Sequence, residues 1–367
     1  MIKSLEKHYK RLIILIEIIL FIVLIVLAYN FTPSKKGTHT FYLPLSDINT
    51  TISTLQKNGY EMTAIDKWIL GLKKIPDEGW YSIKPNKYGR IPFFYTFYKQ
   101  KTDALMDVVV FAGETKDEVC GRLANDTKTD KQKLLNAYND MTRFTEADII
   151  AGRYTLARKA NEKTAIHYLF MTSEKTLEGF KKEYFIKPLS ESELKVIYIV
   201  ASIIQKESNS LKEMPLISSV IYNRLEKNMR LQMDSTLNYG EYSHVIVTPE
   251  RIKGDTSAFN TYKHKGLPPQ PLGSVTLDAL KAAAKPSLTD FLYFMLNEKG
   301  NHDFSANYTE HIANIKIFRA YLDEKKMKEE QKQEIQKQED TNKTINILTP
   351  SFLGDTAIEI DWQKVKL

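Results

Sequence analysis

A chain of 367 residues, 43% hydrophobic and 26% charged, is long enough for two or three modest domains with a core, which excludes a disordered chain. Its formal charge of +7 comes from lysines scattered among acids rather than gathered in a stripe, which argues against a nucleic-acid surface. The lone cysteine, Cys120, excludes an intramolecular disulfide and a thiolate-rich metal cage.

Residues 12–31, LIILIEIILFIVLIVLAYNF, are apolar over a length that lets a helix cross a hydrocarbon core of roughly 30 Å. Lys3, Lys7, Lys10 and Arg11 precede this run and Lys35 and Lys36 follow it, so residues 1–11 are expected on the cytoplasmic side and the body outside. A cleaved signal peptide is the competing reading, but the run is too long for one and no small-residue cleavage pattern follows. An uncleaved single-pass anchor is expected. Glu17 within the span is expected to meet a helix neighbour or draw water inward.

Residues 32–40 read as a linker. Beyond them the pattern is α+β, with one small αβ unit at 41–105 and a second at 106–184. In the first, INTTISTLQKNG has helical spacing at Ile48, Ile52 and Leu55 and a stop at Gly59, whereas GWYSIKP and IPFFYTFY have the aromatic content of strands. In the second, MDVVVFAGET and AGRYTLA read as strands. The two units are either variants of one αβ module or unrelated pieces of one irregular domain.

Residues 185–325 are the most informative stretch. SESELKVIYIVASIIQKES opens on serines suited to capping a helix, and Val196, Val200, Ile203 and Ile204 share one face. Glu207 falls at the next position of that face, within about 20° of its centre, while Gln205 and Lys206 point elsewhere. A carboxyl among apolar neighbours is expected to hold its proton near neutral pH and to serve as a general acid. The competing reading ends the buried stretch at Glu207 and pairs it with an arginine. A second helix begins near Pro215, with Asn223 and Arg224 as polar interruptions; MRLQMDST, containing Gln232 and Asp234, follows as an irregular stretch. The rigid turn Gly266-Leu267-Pro268-Pro269 beside Phe259, Asn260 and Tyr262 is suited to holding a sugar by stacking and forked hydrogen bonds, though loop packing alone would also explain it. VTLDALKAAAKP then reads as a helix and DFLYFML as a strand.

ASIIQKES, VIYNRLEKNMRLQMDSTLNYG, FNTYKHKGLPPQPLG, LDALKAAAKPSLTDFLYFM and GNHDFSANYTEH occur in an order and spacing that resembles the endolytic murein transglycosylase family, MltG or YceG-like. The resemblance is close over about 195–315. It implies LysM-like units after a single transmembrane helix, then a mixed α/β catalytic domain at 185–325 in a protein of the inner (cell) membrane. It further implies cleavage of the bond between N-acetylmuramic acid and N-acetylglucosamine inside nascent peptidoglycan strands, leaving 1,6-anhydromuramyl ends and stopping elongation. Peptidoglycan glycan strands and the synthases that make them would be the partners. The family's catalytic acid falls on Glu207. Gln205 stands where the family has glutamate, Ser235 where it usually has proline, and Ala112 where an acid often precedes the glycine. Asn223, Arg224, Gln232, Asp234, Asn260, Tyr262, Leu267 and Pro268 are the candidates for holding substrate.

Other chemistries lack their signatures. His264, His302 and His311 have no compact ligand spacing, Ser202 and Ser208 lie in no nucleophile elbow, and no glycine-rich phosphate loop exists, so no cofactor is expected. The rival reading is an inactive, membrane-anchored glycan-binding scaffold. Residues 326–367 are dense in mixed charge up to about Lys343, either as a solvated helical extension or a tether, and then regain apolar content.

Overall fold

The computed structural model describes residues 2–31, 39–45, 47–72, 75–83 and 89–348; most of the linker (32–38) and the apolar C-terminal stretch from 349 lie outside the described residues. The chain divides into two units, 1–288 and 289–367.

Helix α1 (Ile2–Asn30) contains the one segment among the described residues long and apolar enough to cross a membrane, Glu6–Asn30, none of it buried in protein. Strand β1 (His39–Leu43), helices α2 (Ile48–Lys57) and α3 (Ala64–Gly71) and strand β2 (Gly79–Ile83) form a βααβ unit whose strands pair antiparallel, Phe41 opposite Tyr81. Helix α2 stops where expected, since Gly59 takes the left-handed φ of 80° that a side chain disfavours. Helix α4 (Arg90–Phe97) corrects the strand expected for IPFFYTFY. Phe93, Phe94 and Phe97 are all buried in the unit's aromatic core, a one-sided cluster at helical spacing; aromatic content suggests strand only where spacing is ignored. Arg90 forms a buried bidentate pair with Asp66 at 2.8 Å, and the hydroxyl of Tyr29 donates to the same carboxylate, tying the end of α1 to this unit.

The next segment repeats the topology. Strand β3 (Leu105–Val110), helices α5 (Lys116–Thr127) and α6 (Lys131–Asn139) and strand β4 (Gly152–Ala157) form a second βααβ unit, Val108 opposite Tyr154. A Thr115–Glu118 capping box starts α5. The indole of Trp80 in the first unit donates to the Thr155 carbonyl of the second at 2.8 Å and joins the second unit's core. The two segments thus share one element order, β-α-α-β, each with its two strands paired antiparallel.

Helices α7 (Glu162–Tyr184), α8 (Glu191–Glu207) and α9 (Met214–Glu226), the short α10 (Pro249–Gly254) and α11 (Leu277–Ala284) complete the compact unit 1–288 that also holds both βααβ segments. Ser190 caps α8 as expected, and the structure adds its reciprocal partner Glu193 to make a capping box; Pro215 lies in the first turn of α9. Helix α8 is the central rod. Every residue from Ile197 to Gln205 is buried, while Val196 is 39% exposed. The one-sided helix read from the sequence is therefore corrected over residues 197–205, where α9, α11, Phe144 from the loop before β4 and Leu272 from the loop after α10 pack on α8.

In the second unit, strands β5 (Tyr293–Leu296) and β6 (His302–Ser305) pair as a hairpin through a turn at Gly300 (φ 77°), and α12 (Tyr308–Leu348) packs on β5 through Tyr308 and His311 around Tyr293. Its charged length is a solvated helix as far as it is described.

Candidate active site

Glu207 is the last residue of α8 and is half-buried. Its Oε1 accepts from the backbone N–H of Ser235 at 3.4 Å, at the start of the 3-10 turn Asp234–Leu237. A proline at 235 could not make this bond, so the departure from the family pattern supplies a donor to the very residue on which the resemblance centres. Asp234 Oδ1 accepts from the Tyr262 hydroxyl at 2.6 Å. Burial, the bond to Asp234 and the charges of Asp234 and Glu207 all push the Tyr262 phenol well up, so it remains a neutral donor and a common neighbour of both carboxylates.

The loop presenting Asp234 is stitched from beneath. Leu231, Met233 and Ser235 are buried and Gln232 and Asp234 exposed, so both polar side chains lie on the open side of the loop. Thr261 holds the buried side: its carbonyl accepts from Gln232 N at 3.2 Å, and its hydroxyl accepts from Met233 N at 3.2 Å and pairs with Thr236 at 2.9 Å. Gln232 carries a φ of 51°, a strained value for a residue with a side chain, at the edge of the candidate site.

Two expected sugar-holding residues are corrected. Asn260 is wholly buried; its amide donates to the carbonyls of Ile252 and Asp255, both at 2.9 Å, and its oxygen accepts from Tyr262 N, so it forms the loop that positions Tyr262. Arg224 is 7% exposed and donates to the carbonyls of Leu231 at 2.6 Å and Arg230 at 3.2 Å, fixing the turn that leads into Gln232. Asn223 is half-buried on α9. Leu267 is half-buried and Pro268 buried in the loop after α10. That loop is anchored on α8, where Ser202 Oγ accepts from Leu272 N at 3.0 Å.

Gln205 does not point away, as the helical spacing suggested. It is 6% exposed, and its Oε1 accepts from both the N–H (3.1 Å) and the hydroxyl (2.6 Å) of Thr276, the N-cap of α11. Gln205→Ala is expected to lower stability by ~2 kcal/mol by stranding these two donors, whereas Gln205→Glu keeps the acceptor and loses less. Thermal unfolding of the full chain in detergent reads the difference; equal losses in both variants would refute it.

A buried carboxyl that sequence reading missed lies behind the site. Glu146 is 2% exposed, in a loop where Thr145 (φ 73°) and Ala147 (φ 69°) on either side are both left-handed. It accepts from Lys116 N at 2.7 Å and from the Tyr239 hydroxyl at 3.5 Å. Tyr239 in turn receives the Gln270 amide at 2.5 Å and stacks on Phe259 at 4.5 Å. Burial pushes the Glu146 carboxyl up to about 7, against the lowering effect of its Lys116 N–H bond. Lys206, beside Glu207 in the chain, lies in the field of Glu146 and Glu118; burial pushes its ammonium down while those acids oppose the shift. The only signal in the sequence was a pair of acids inside the apolar run FTEADII. The second βααβ unit meets the α8 region here through backbone pairs, Gly113 N to Ser274 O and Ser274 N to Glu114 O, both 2.7 Å. The approach is so close that a Cβ on Gly273 would lie 2.5 Å from the Gly113 oxygen.

The sequence pattern of the YceG-like family matches residues 45–317. Over 112 residues the chain is 36% identical to an endolytic murein transglycosylase of Bacillus subtilis (strain 168), covering 30% of this chain and 31% of that one. Over 176 residues it is 28% identical to an endolytic murein transglycosylase of Streptococcus pneumoniae serotype 2 (strain D39 / NCTC 7466), covering 46% of this chain and 31% of that one. The matches thus span about a third of the length of these curated relatives. A crystal structure of a yceG-like protein from Listeria monocytogenes superposes with a TM-score of 0.49 at 23% identity, covering 75% of this chain and 98% of that chain.

Proposed function

Since the chain belongs to the YceG-like family, we propose that it is a peptidoglycan lytic transglycosylase, anchored in the cell membrane by α1 with its body outside. It cuts the β-1,4 bond between N-acetylmuramic acid and N-acetylglucosamine within nascent strands. The observation that carries this reading is the placement of Glu207: a half-buried carboxyl at the last turn of a rigid core helix, beside a second acid already engaged by a tyrosine.

Glu207 donates its proton to the glycosidic oxygen as the bond from C1 of muramic acid to that oxygen breaks. The resulting carboxylate takes the proton of the muramyl C6 hydroxyl as O6 closes on C1, so the acid is regenerated and no water is consumed. Because the nucleophile belongs to the substrate, the second carboxylate that ordinary hydrolysis requires is dispensable. Asp234, held by Tyr262, orients the sugar together with exposed Gln232. Residues 185–325 would form the catalytic domain, the two βααβ units would be LysM-like modules that hold the strand, and the synthases elongating that strand would work alongside.

The test is product chemistry. The full chain in detergent, incubated with uncrosslinked glycan strands, is expected to yield fragments ending in 1,6-anhydromuramic acid by mass spectrometry. New reducing ends instead would make it a hydrolase. Intact polymer that merely sediments with the protein would make it a binding scaffold.

A further inference from the structure

Helices α2 and α7 flank a cleft of about 850 Å³ lined by residues outside the Glu207 cluster. Thr50, Ser53, Thr54 and Lys57 line it from one face of α2, at the i, i+3, i+4, i+7 spacing of a single helical stripe. Thr164, His167, Tyr168 and Met171 line it from one face of α7, with Lys163 and Asn161 at that helix's start. Tyr42 from β1 lies against Tyr168, their ring centres 4.7 Å apart, and the loop carrying Arg143 and Asp148 closes one end.

The charges in this cleft are unequally satisfied. Arg143 is bound by Asp148 at 3.2 Å and by Glu174 at 2.9 Å. Lys57 and Lys163 have no ion pair among the described residues, yet both lie in the field of His167, whose imidazole is pushed down by burial and then by these two ammonium groups. Both ammonium groups are exposed on this aromatic-walled, hydroxyl-rich cleft, so their charge is left to solvent and is open to an anionic ligand. A neutral sugar offers two ammonium groups hydrogen-bond acceptors but no countercharge. A polyphosphate would meet the acids Asp148 and Glu174 at the other end and would lack a free arginine fork. A short peptide with one or two carboxylates fits both ends, its backbone amides matching the threonine, serine and asparagine side chains.

We propose that the α2–α7 cleft binds the carboxylate-bearing stem peptide of peptidoglycan, so that the chain reads the peptide at a site separate from the one that cuts the glycan. The choice of this peptide among acidic peptides rests on the function proposed above.

The probe is a synthetic pentapeptide, L-Ala–γ-D-Glu–L-Lys–D-Ala–D-Ala, titrated into the full chain in detergent by calorimetry. Wild type and Glu207→Gln are expected to bind it equally. Lys57→Gln/Lys163→Gln, which alters two exposed side chains, is expected to weaken binding at least about tenfold, as is amidation of the peptide's carboxyls, with no change in thermal unfolding. Absence of binding by wild type, equal binding by the double lysine variant, or a preference for an N-acetylglucosamine oligomer over the peptide would overturn the proposal. Peptide binding by a chain that makes no anhydro ends would sink the catalytic reading and leave this site standing. Strand cleavage with unaltered peptide affinity in the lysine variant would do the reverse.

Discussion

Glu207→Gln is expected to cut the rate of anhydro-end formation by about a thousandfold or more, a loss of ~4 kcal/mol in transition-state stabilisation. The substitution keeps the size of the side chain and an oxygen able to accept from Ser235 N, so fold and strand binding should stay as they are. It removes the transferable proton from the only residue that the proposed chemistry asks to give one and take one back. The measurement is single-turnover cleavage of uncrosslinked strands, with co-sedimentation and thermal unfolding as controls. A variant that retains a tenth of wild-type activity would mean that another group, Asp234 foremost, carries the proton.

Glu146→Gln is expected to change how stability depends on pH. The carboxyl is raised in the folded protein from an ordinary 4.5 to about 7, so between those values the native state holds a proton that the unfolded chain has released. Its contribution therefore favours folding fully below about pH 4.5 and is lost as pH rises through 7, a swing of about 3 kcal/mol. Glutamine keeps an acceptor for Lys116 N but cannot ionise. The variant should match wild type near pH 4.5 and exceed it by up to about 3 kcal/mol above pH 8, read from denaturant unfolding of the full chain in detergent across that range. A constant difference at every pH would show that Glu146 matters only as packing. The groups facing it are the Lys116 N–H, the Tyr239 hydroxyl, Glu118 and Lys206, so its ionisation reaches both the second βααβ unit and the helix that ends in Glu207.

The parts of this chain legible in its sequence are those governed by a few neighbouring residues. The apolar run of α1, the capping box at Ser190, the proline opening α9, the glycine ending α2 and the strands β2 to β5 all follow from such local chemistry. The same short range explains the errors. Aromatic content made α4 look like a strand, but Phe93, Phe94 and Phe97 face a core built by residues far along the chain. A helical wheel located Glu207 from one apolar stripe, yet α8 is buried on every side from Ile197 to Gln205. That enclosure is why Gln205 is inside and capping α11, which the wheel placed outside.

The candidate site divides in the same way. Glu207 was named from the helical wheel and Tyr262 from the aromatic cluster beside a rigid turn, because such local patterns are conspicuous by themselves, whereas Asp234 was named from the family resemblance. The tasks of Asn260 and Arg224 could not be named, because whether an amide or a guanidinium faces substrate or a backbone carbonyl depends on where distant loops end.

By itself the sequence determined several of the helices and the strands β2 to β5, that one helix is apolar enough to cross a membrane, and which helix ends in a carboxyl. Only the tertiary structure decided that α8 is a buried rod, that Ser235 and Tyr262 meet the two acids, that Glu146 lies sealed behind them, and that Lys57 and Lys163 converge on a cleft of their own. Helix signals act over one or two turns of chain, whereas burial and electrostatic fields act through space among residues that the chain order keeps apart.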